Sequence, residues 1–119
     1  MDNARIAVGR HGENIAARFL ADAGYEVVDR NWRGVRGELD IVALDGDELV
    51  VVEVKTRRGT GFGHPAEAVT PLKLSRLRRL AGQWLHEHET RAASVRIDVL
   101  AIVLVRSGAA EVEHLRAVC

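Results

Sequence analysis

Cysteine and proline are scarce in this sequence of 119 residues, which has one cysteine, Cys119, and two prolines, Pro65 and Pro71. A single cysteine excludes an internal disulfide framework and a cysteine-based metal site, and it favours a reducing compartment such as the cytoplasm. No repeat, low-complexity segment or long linker interrupts the chain. We therefore expect one continuous domain over residues 1–119.

Long hydrophobic runs and an excess of charge of one sign are also lacking. The longest apolar run, Val99–Val105, is far too short to span a bilayer, and the N-terminus does not resemble a signal peptide. Lys and Arg number 17 and Asp and Glu number 17, so the formal net charge is zero. A basic field over the whole protein is thus excluded, and a nucleic-acid partner would have to bind at a local patch. We expect a cytoplasmic protein without a membrane partner.

The hydrophobic pattern predicts seven elements in the order αβββαββ, which is typical of an α/β domain. Apolar residues at helical spacing, with Thr70-Pro71 as a helix start, indicate helices over about residues 5–23 and 70–88. Runs rich in Val, Ile and Leu indicate strands over about residues 25–32, 38–44, 49–55, 95–105 and 111–116. Residues 57–69 contain four glycines or prolines and are expected to form a loop.

An Asp-Gly step between two β-rich runs is a strong hairpin signal, so we expect a hairpin around the turn Asp45–Glu48. The length of the turn determines the register of the two strands. A two-residue and a four-residue loop give the same cross-strand pairs: Leu44 with Leu49, Val42 with Val51, Asp40 with Glu53, and Glu38 with Lys55. Alternation places all eight side chains on one face of the sheet. The opposite face is wholly apolar and is expected to be core; it carries Leu39, Ile41, Ala43, Val50, Val52 and Val54.

Asp40 and Glu53 form the chemically informative pair of this hairpin. Two carboxylates across a ladder repel each other, and burial worsens this because a charged carboxylate loses its hydration. Such a pair must bind a cation or keep one group protonated, and oxygen ligands suit Mg²⁺ or Mn²⁺. Lys55, on the same face, is placed to hold an attacking water or a phosphate oxygen. The alternative is a solvated strand end, in which Glu38 and Lys55 form a surface ion pair.

A local excess of basic residues follows the hairpin. Between positions 56 and 79, six residues are basic and one is acidic. We expect Arg57 and Arg58, together with the helix face that bears Lys73 and Arg76, to contact phosphates. The alternative is that the helical residues form only the solvated side of an amphipathic helix.

The stretch Gly37–Asp40, followed by Glu53–Lys55, resembles the D…ExK signature of restriction-endonuclease-like nucleases. Together with Gly12-Glu13, residues 37–43 and 51–57 look like the small bacterial YraN family, which is itself similar to archaeal Holliday junction resolvases. The resemblance spans nearly the whole chain. It implies a restriction-endonuclease-like α/β domain with a central mixed sheet flanked by helices.

The resemblance also implies a Mg²⁺-dependent endonuclease that hydrolyses DNA phosphodiester bonds, with branched or single-stranded DNA as the substrate. Asp40 and Glu53 match the residues that chelate the metal. Lys55 matches the residue that orients or activates water, and Glu13, on the first helix, would complete the metal shell. Leu39 stands where many members of the superfamily have proline, a position that varies among them.

Two other functions remain open. The chain could be a non-catalytic nucleic-acid-binding module of a recombination, repair or DNA-uptake assembly, which the local basic excess favours. It could also be a structural domain that dimerises through the strand 95–105; because resolvase relatives act as dimers, a homodimer is compatible with a nuclease too.

In the same strand Asp98, between Ile97 and Val99, is expected to contact Arg96 or another strand, and no chemistry is assigned to it.

Overall fold

The computed structural model describes residues 3–59, 69–105 and 108–118. In these ranges the elements are α1 (Asn3–Asp22), β1 (Glu26–Gly34), β2 (Gly37–Asp45), β3 (Glu48–Arg58), α2 (Pro71–Glu87), β4 (Ser94–Leu104) and β5 (Glu111–Leu115). The predicted order αβββαββ is confirmed. The loop predicted over 57–69 begins later than expected, because Arg57 and Arg58 continue β3 in pairing with β4. Residues 60–68, with Glu67, and Cys119 lie outside the described residues.

One sheet with the strand order β1-β2-β3-β4-β5 forms the centre of this small α/β domain. The sheet is mixed: β3 and β4 are parallel, and the other neighbouring pairs are antiparallel. A parallel pair needs a crossover connection, and α2 supplies it between β3 and β4. Of the helices in the described part of the chain, neither combines the length and the apolar character that a membrane span needs.

Both faces of the sheet are covered, each by one helix. The cluster under α1 contains Ala16, Leu20, Ile41, Ala43, Val50, Val52, Leu100 and Ile102. The cluster under α2 contains Leu39, Val42, Leu49, Val51, Leu77, Leu80, Trp84 and Ile97. The sequence pattern of the β2–β3 hairpin predicted a core on one face of the sheet, whereas the structure has a core on each face. The continuous Val, Ile and Leu runs of β3 and β4 are those of strands buried on both sides.

The expected alternation along β2 is broken between Leu39 and Ile41. Leu39 packs in the cluster under α2, whereas Ile41 packs in the cluster under α1. Their partners on β1 are Trp32 and Arg30, and Asn31 between these has a φ of 52°, in the left-handed region. A left-handed residue distorts its strand locally, so the break in alternation on β2 lies opposite a distortion of β1. The prediction that Leu39 shares a face with Ile41 is therefore wrong.

Candidate functional site

The backbones of β2 and β3 stop pairing just before the two acids. The register predicted near the turn is confirmed, and the last pair of the ladder is Ile41 with Val52. Beyond this point β3 stays paired with β4 as far as Arg58. The Oδ2 of Asp40 accepts a hydrogen bond of 2.9 Å from the backbone N–H of Val54. The side chain of Asp40 thus takes the place of a backbone acceptor, which directs it into the gap between the strands.

Asp40 and Glu53 lie next to each other in this gap. Glu53 is 9% exposed and Asp40 is half-buried, and the two carboxyl groups are within hydrogen-bonding range of each other. Burial and then the charge of Glu53 raise the pKa of Asp40 to about 7, against the opposing effect of the Val54 N–H. Neighbouring carboxyl groups in such a site share a proton or a cation, since both cannot be ionised at low cost. The oxygens of the pair do not point to opposite surfaces of the sheet.

Lys73 of α2 provides the positive charge nearest to this pair in the described structure. Its Nζ lies 3.3 Å from the Oε1 of Glu53, and its side chain is 32% exposed. The start of α2 is well defined, because the Oγ1 of Thr70 accepts the backbone N–H of Lys73 at 3.2 Å and Pro71 occupies the first turn. The sequence predicted Lys73 as a phosphate contact. Its contact with Glu53 was missed, because only the α2 crossover brings the two residues together.

Glu13 approaches the same region from α1. Gly12 before it is buried against β3, and a Cβ at this position would lie 2.7 Å from the Cβ of Thr56, so glycine permits the close packing of helix on strand. The side chain of Glu13 is 13% exposed and accepts hydrogen bonds from Arg30 at 3.2 Å and from Asn31 at 2.7 Å.

The charge of Glu13 contributes to the raised pKa of Asp40, after burial and the charge of Glu53. Glu13 is therefore within electrostatic range of the acid pair, although its own hydrogen bonds go to β1. Within the described ranges, no three His, Cys, Asp or Glu side chains are grouped so as to hold a metal ion. The structure thus brings Asp40 and Glu53 together and leaves Glu13 at the edge of the pair.

Lys55 follows Glu53 on β3, where it is half-buried and pairs with Ala101 of β4. The pairing predicted between Glu38 and Lys55 is wrong. Glu38 is instead the cross-strand neighbour of Arg33 on β1, and the two side chains form an ion pair of 3.6 Å. The cause is again the end of the β2–β3 ladder, beyond which the cross-strand register no longer applies.

The remaining predicted phosphate contacts lie on the elements that hold the acid pair. Arg57 is half-buried and engaged with other residues, whereas Arg58 is exposed at the end of β3. Arg76 is exposed on α2, one helical turn after Lys73. The four basic residues thus lie on β3 and α2, and of these Lys73 forms the described ion pair with Glu53.

A second buried carboxylate, Asp98 on β4, is fully inaccessible to solvent. It accepts hydrogen bonds from Arg96 Nε at 2.9 Å and from the backbone N–H of Ala117 at 2.9 Å, and its Oδ2 lies 2.7 Å from the Nε2 of His114. Burial by itself would raise the pKa of Asp98, but these partners hold it below its ordinary value. The predicted contact with Arg96 is confirmed, and every polar atom of Asp98 has a partner, as in a structural network.

Residues 12–102 of the chain match a family described as "Uncharacterised protein family UPF0102". The chain belongs to the UPF0102 family. A UPF0102 protein of Beutenbergia cavernae is 61% identical over 115 residues, which cover 97% of this chain and 98% of that protein. A UPF0102 protein of Streptomyces griseus is 56% identical over 117 residues, covering 98% of each chain. The resemblance to the YraN family, another name for UPF0102, is thereby confirmed.

Proposed function

We propose that the chain is a Mg²⁺-dependent endonuclease of the restriction-endonuclease-like type, which hydrolyses phosphodiester bonds of branched or single-stranded DNA. The observation that carries the proposal is the adjacent pair of Asp40, half-buried, and Glu53, buried, in which burial and then the charge of Glu53 raise the pKa of Asp40 to about 7. A mixed sheet with a helix on each face, and with the acids where β2 and β3 diverge, supports the same assignment.

The oxygen donors of the pair fit a hard divalent cation. Mg²⁺ binds proteins through one or two carboxylates and keeps its remaining positions for water and substrate phosphate, so a third protein ligand is not required. Asp40 and Glu53 would hold the ion, and the negative charge of Glu13 would add to the attraction. When bound, Mg²⁺ supplies the Lewis acidity that polarises a phosphodiester and increases the acidity of water.

The lysines have separate roles in this proposal. Lys55, on the same strand as Glu53, would hold the attacking water and stabilise the negative charge that develops on the phosphate. Lys73 now neutralises Glu53 at 3.3 Å, and it would turn to a substrate phosphate when a cation takes the carboxylate. Arg57, Arg58 and Arg76 would bind phosphates further along the DNA.

A cleavage assay with branched, single-stranded and duplex DNA in Mg²⁺ or Mn²⁺ tests the proposal. We expect the wild type to cut at least one of these substrates, and Asp40→Asn and Glu53→Gln to lower the rate by about 100-fold or more, as is usual when one stabilising group is lost. Asp47→Asn is the matched control, because Asp47 is an exposed acid in the β2–β3 turn. Equal cleavage by the wild type and by Asp40→Asn would contradict the assignment.

A nucleic-acid-binding module without turnover is the second candidate. One observation favours it: Lys73 already pairs with Glu53, and Arg30 and Asn31 already bind Glu13, so two of the three carboxyl groups have partners without a metal. Calorimetric titration with Mn²⁺ separates the two functions. Binding that disappears in Glu53→Gln supports the nuclease, whereas a wild type that binds DNA but no Mn²⁺ supports the module.

A further inference from the structure

The β1–β2 hairpin ends in a tight turn of unusual composition. Gly34 and Gly37 form the last backbone pair, so Val35 and Arg36 make the turn. Arg36 has a φ of 62°, in the left-handed region that glycine or asparagine normally occupies in such a turn. Val35 is 66% exposed, although a turn does not require an apolar side chain. Residues held in unfavourable conformations cluster at functional sites, so this tip is a candidate for one.

The tip is held firmly against α2. The backbone N–H of Val35 donates to the Oε1 of Gln83 at 2.9 Å. A Cβ on Gly34 or on Gly37 would lie 2.7 or 2.8 Å from a methyl carbon of Leu80, so the two glycines allow the hairpin to rest directly on the helix. The side chains at the tip are therefore presented from a fixed position, which lowers the entropy lost on binding a partner.

Positive charge surrounds the exposed Val35. Arg33 and Arg36 are both exposed, and Arg33 keeps 85% of its side-chain surface accessible despite its ion pair with Glu38 at 3.6 Å. An open depression of about 430 Å³ lies at this tip, lined by Arg33, Gly34, Arg36, Gly37 and Glu38. An arginine lies on each side of the valine in the chain. Each presents a planar guanidinium group on a long, flexible side chain, which suits the binding of phosphate groups.

The basic surface continues from the hairpin onto α2. Arg76 and Arg79 are exposed and precede Gln83 by seven and four positions, so helical spacing places them on the side of α2 that touches the hairpin. The tip is also close to the acid pair, because Asp40 follows Gly37 by three residues of β2, a distance of about 10 Å along a strand. The hairpin and α2 thus border the candidate site with one basic surface.

We infer that the tip of the β1–β2 hairpin, Arg33–Gly37, is a DNA-binding element: Arg33 and Arg36 bind backbone phosphates beside the acid pair, and Val35 contacts a sugar or base between them. This inference rests on the proposed nuclease function and deepens it, since it identifies a surface that receives the substrate. Exposed apolar side chains flanked by arginines are used by proteins that contact the minor groove or a disturbed base step.

Binding of a fluorescein-labelled four-way DNA junction, measured by anisotropy in EDTA at several salt concentrations, tests the inference. The double variant R33Q/R36Q is expected to bind about tenfold more weakly. It should also reduce the magnitude of the slope of log K against log salt by about 2, because the loss of two phosphate contacts reduces the number of counterions released. R33K/R36K keeps the charge and should keep the slope. Val35→Ser should weaken binding with an unchanged slope, because an apolar contact releases no counterions.

The matched control is R91Q/R116Q, which removes two exposed arginines at the other end of the sheet. Arg116 lies 3.5 Å from Asp45, next to the β2–β3 turn, and Arg91 is close to Ala93, which bonds to Asp47 of the same turn. This variant has the same net charge as R33Q/R36Q and should bind like the wild type. A loss of affinity equal to that of the hairpin variant would show a general charge effect and overturn the inference.

Arg36→Gly separates binding from a purely structural role of the turn. Glycine adopts the left-handed conformation without strain, so the melting temperature should rise while the affinity for the junction falls several-fold. A rise in melting temperature with unchanged affinity and salt slope would contradict the role of Arg36. Hairpin-dependent binding without cleavage would overturn the nuclease and keep the hairpin inference. Cleavage by the wild type, combined with hairpin variants that bind like the wild type, would support the nuclease and overturn the hairpin inference.

Discussion

Asp98 and Asp40 are both acids enclosed by the central sheet, and their surroundings shift their pKa values in opposite directions. Asp98 is fully buried, and Arg96, Ala117 and His114 supply donors that hold its pKa low despite burial. Asp40 receives the N–H of Val54 and faces the carboxyl group of Glu53, and burial and then the charge of Glu53 raise its pKa to about 7.

The difference between Asp98 and Asp40 shows that burial of a carboxylate does not by itself indicate a cation site. A buried carboxylate whose oxygens are all satisfied holds β4 to the C-terminal segment, and it has no further demand for a cation. A partly buried pair with one lysine at its edge keeps such a demand, because adjacent carboxylates repel each other until a proton or a metal ion joins them. Three substitutions and the addition of Mn²⁺ test this contrast, with expected effects that range from about 4 to below 1 kcal/mol.

Asp98→Asn is expected to lower the free energy of unfolding by about 4 kcal/mol, because it removes the fully buried charge that Arg96, His114 and the N–H of Ala117 all face. The guanidinium of Arg96, 11% exposed, then keeps only Glu48 and Asp45 as charge partners among the described residues. Urea denaturation measures the loss. Asp47→Asn, in an exposed turn, serves as the control and should stay within about 0.5 kcal/mol of the wild type. A loss below about 1 kcal/mol for Asp98→Asn would show that the network contributes little.

Asp40→Asn is expected to stabilise the metal-free protein by about 3 kcal/mol above pH 7, and to leave its stability unchanged below the ordinary pKa of 3.8. Burial and the charge of Glu53 raise the pKa of Asp40 in the folded chain, which therefore binds the proton more tightly than the unfolded chain does. The stability from this group is full at low pH and is lost as the pH rises through about 7.

Urea unfolding across this pH range measures the effect. Asp98 provides the internal contrast: its pKa is lowered by folding, so its contribution is present above the ordinary carboxyl pKa and is lost as the pH falls. If Asp40→Asn changed the stability equally at low and high pH, the raised pKa of Asp40 would be refuted.

Mn²⁺ is expected to raise the free energy of unfolding of the wild type by about 1.4 kcal/mol at tenfold the dissociation constant. The physical reason is that a divalent ion binds the paired carboxylates of the folded chain and not the unfolded chain. Thermal melts with and without the metal measure the shift, which chelation should reverse. Glu53→Gln should abolish it, whereas Asp47→Asn should keep it; a shift that persists in Glu53→Gln would place the metal elsewhere.

Lys73→Gln is expected to have the smallest effect, a loss of about 0.5–1 kcal/mol in the absence of metal, because the ion pair with Glu53 is partly exposed. Its stabilisation by Mn²⁺ should then exceed that of the wild type, since no ammonium competes for Glu53. Arg76→Gln, one turn further along α2, is the matched control and should change neither quantity. A smaller Mn²⁺ effect in Lys73→Gln would indicate that Lys73 assists the site instead of competing.

Periodicity and turn chemistry were sufficient to predict much of this molecule. The order of the elements, the hairpin register near Asp45–Glu48 and the proximity of Asp40 to Glu53 all follow from local sequence. Glu13 was predicted from the family resemblance alone, and the close packing of Gly12 on Thr56 explains its position near the pair. The roles of these residues in a reaction stay predictions.

The sequence by itself determined where helices and strands form and which acids fall on neighbouring strands, because side-chain periods and turn preferences act over a few residues. Only the tertiary structure decided that both faces of the sheet are buried, that the strands change face near Asn31, and that Lys73 reaches Glu53. Such contacts join residues far apart in the chain, so they depend on how the α2 crossover closes over the sheet and not on any local pattern.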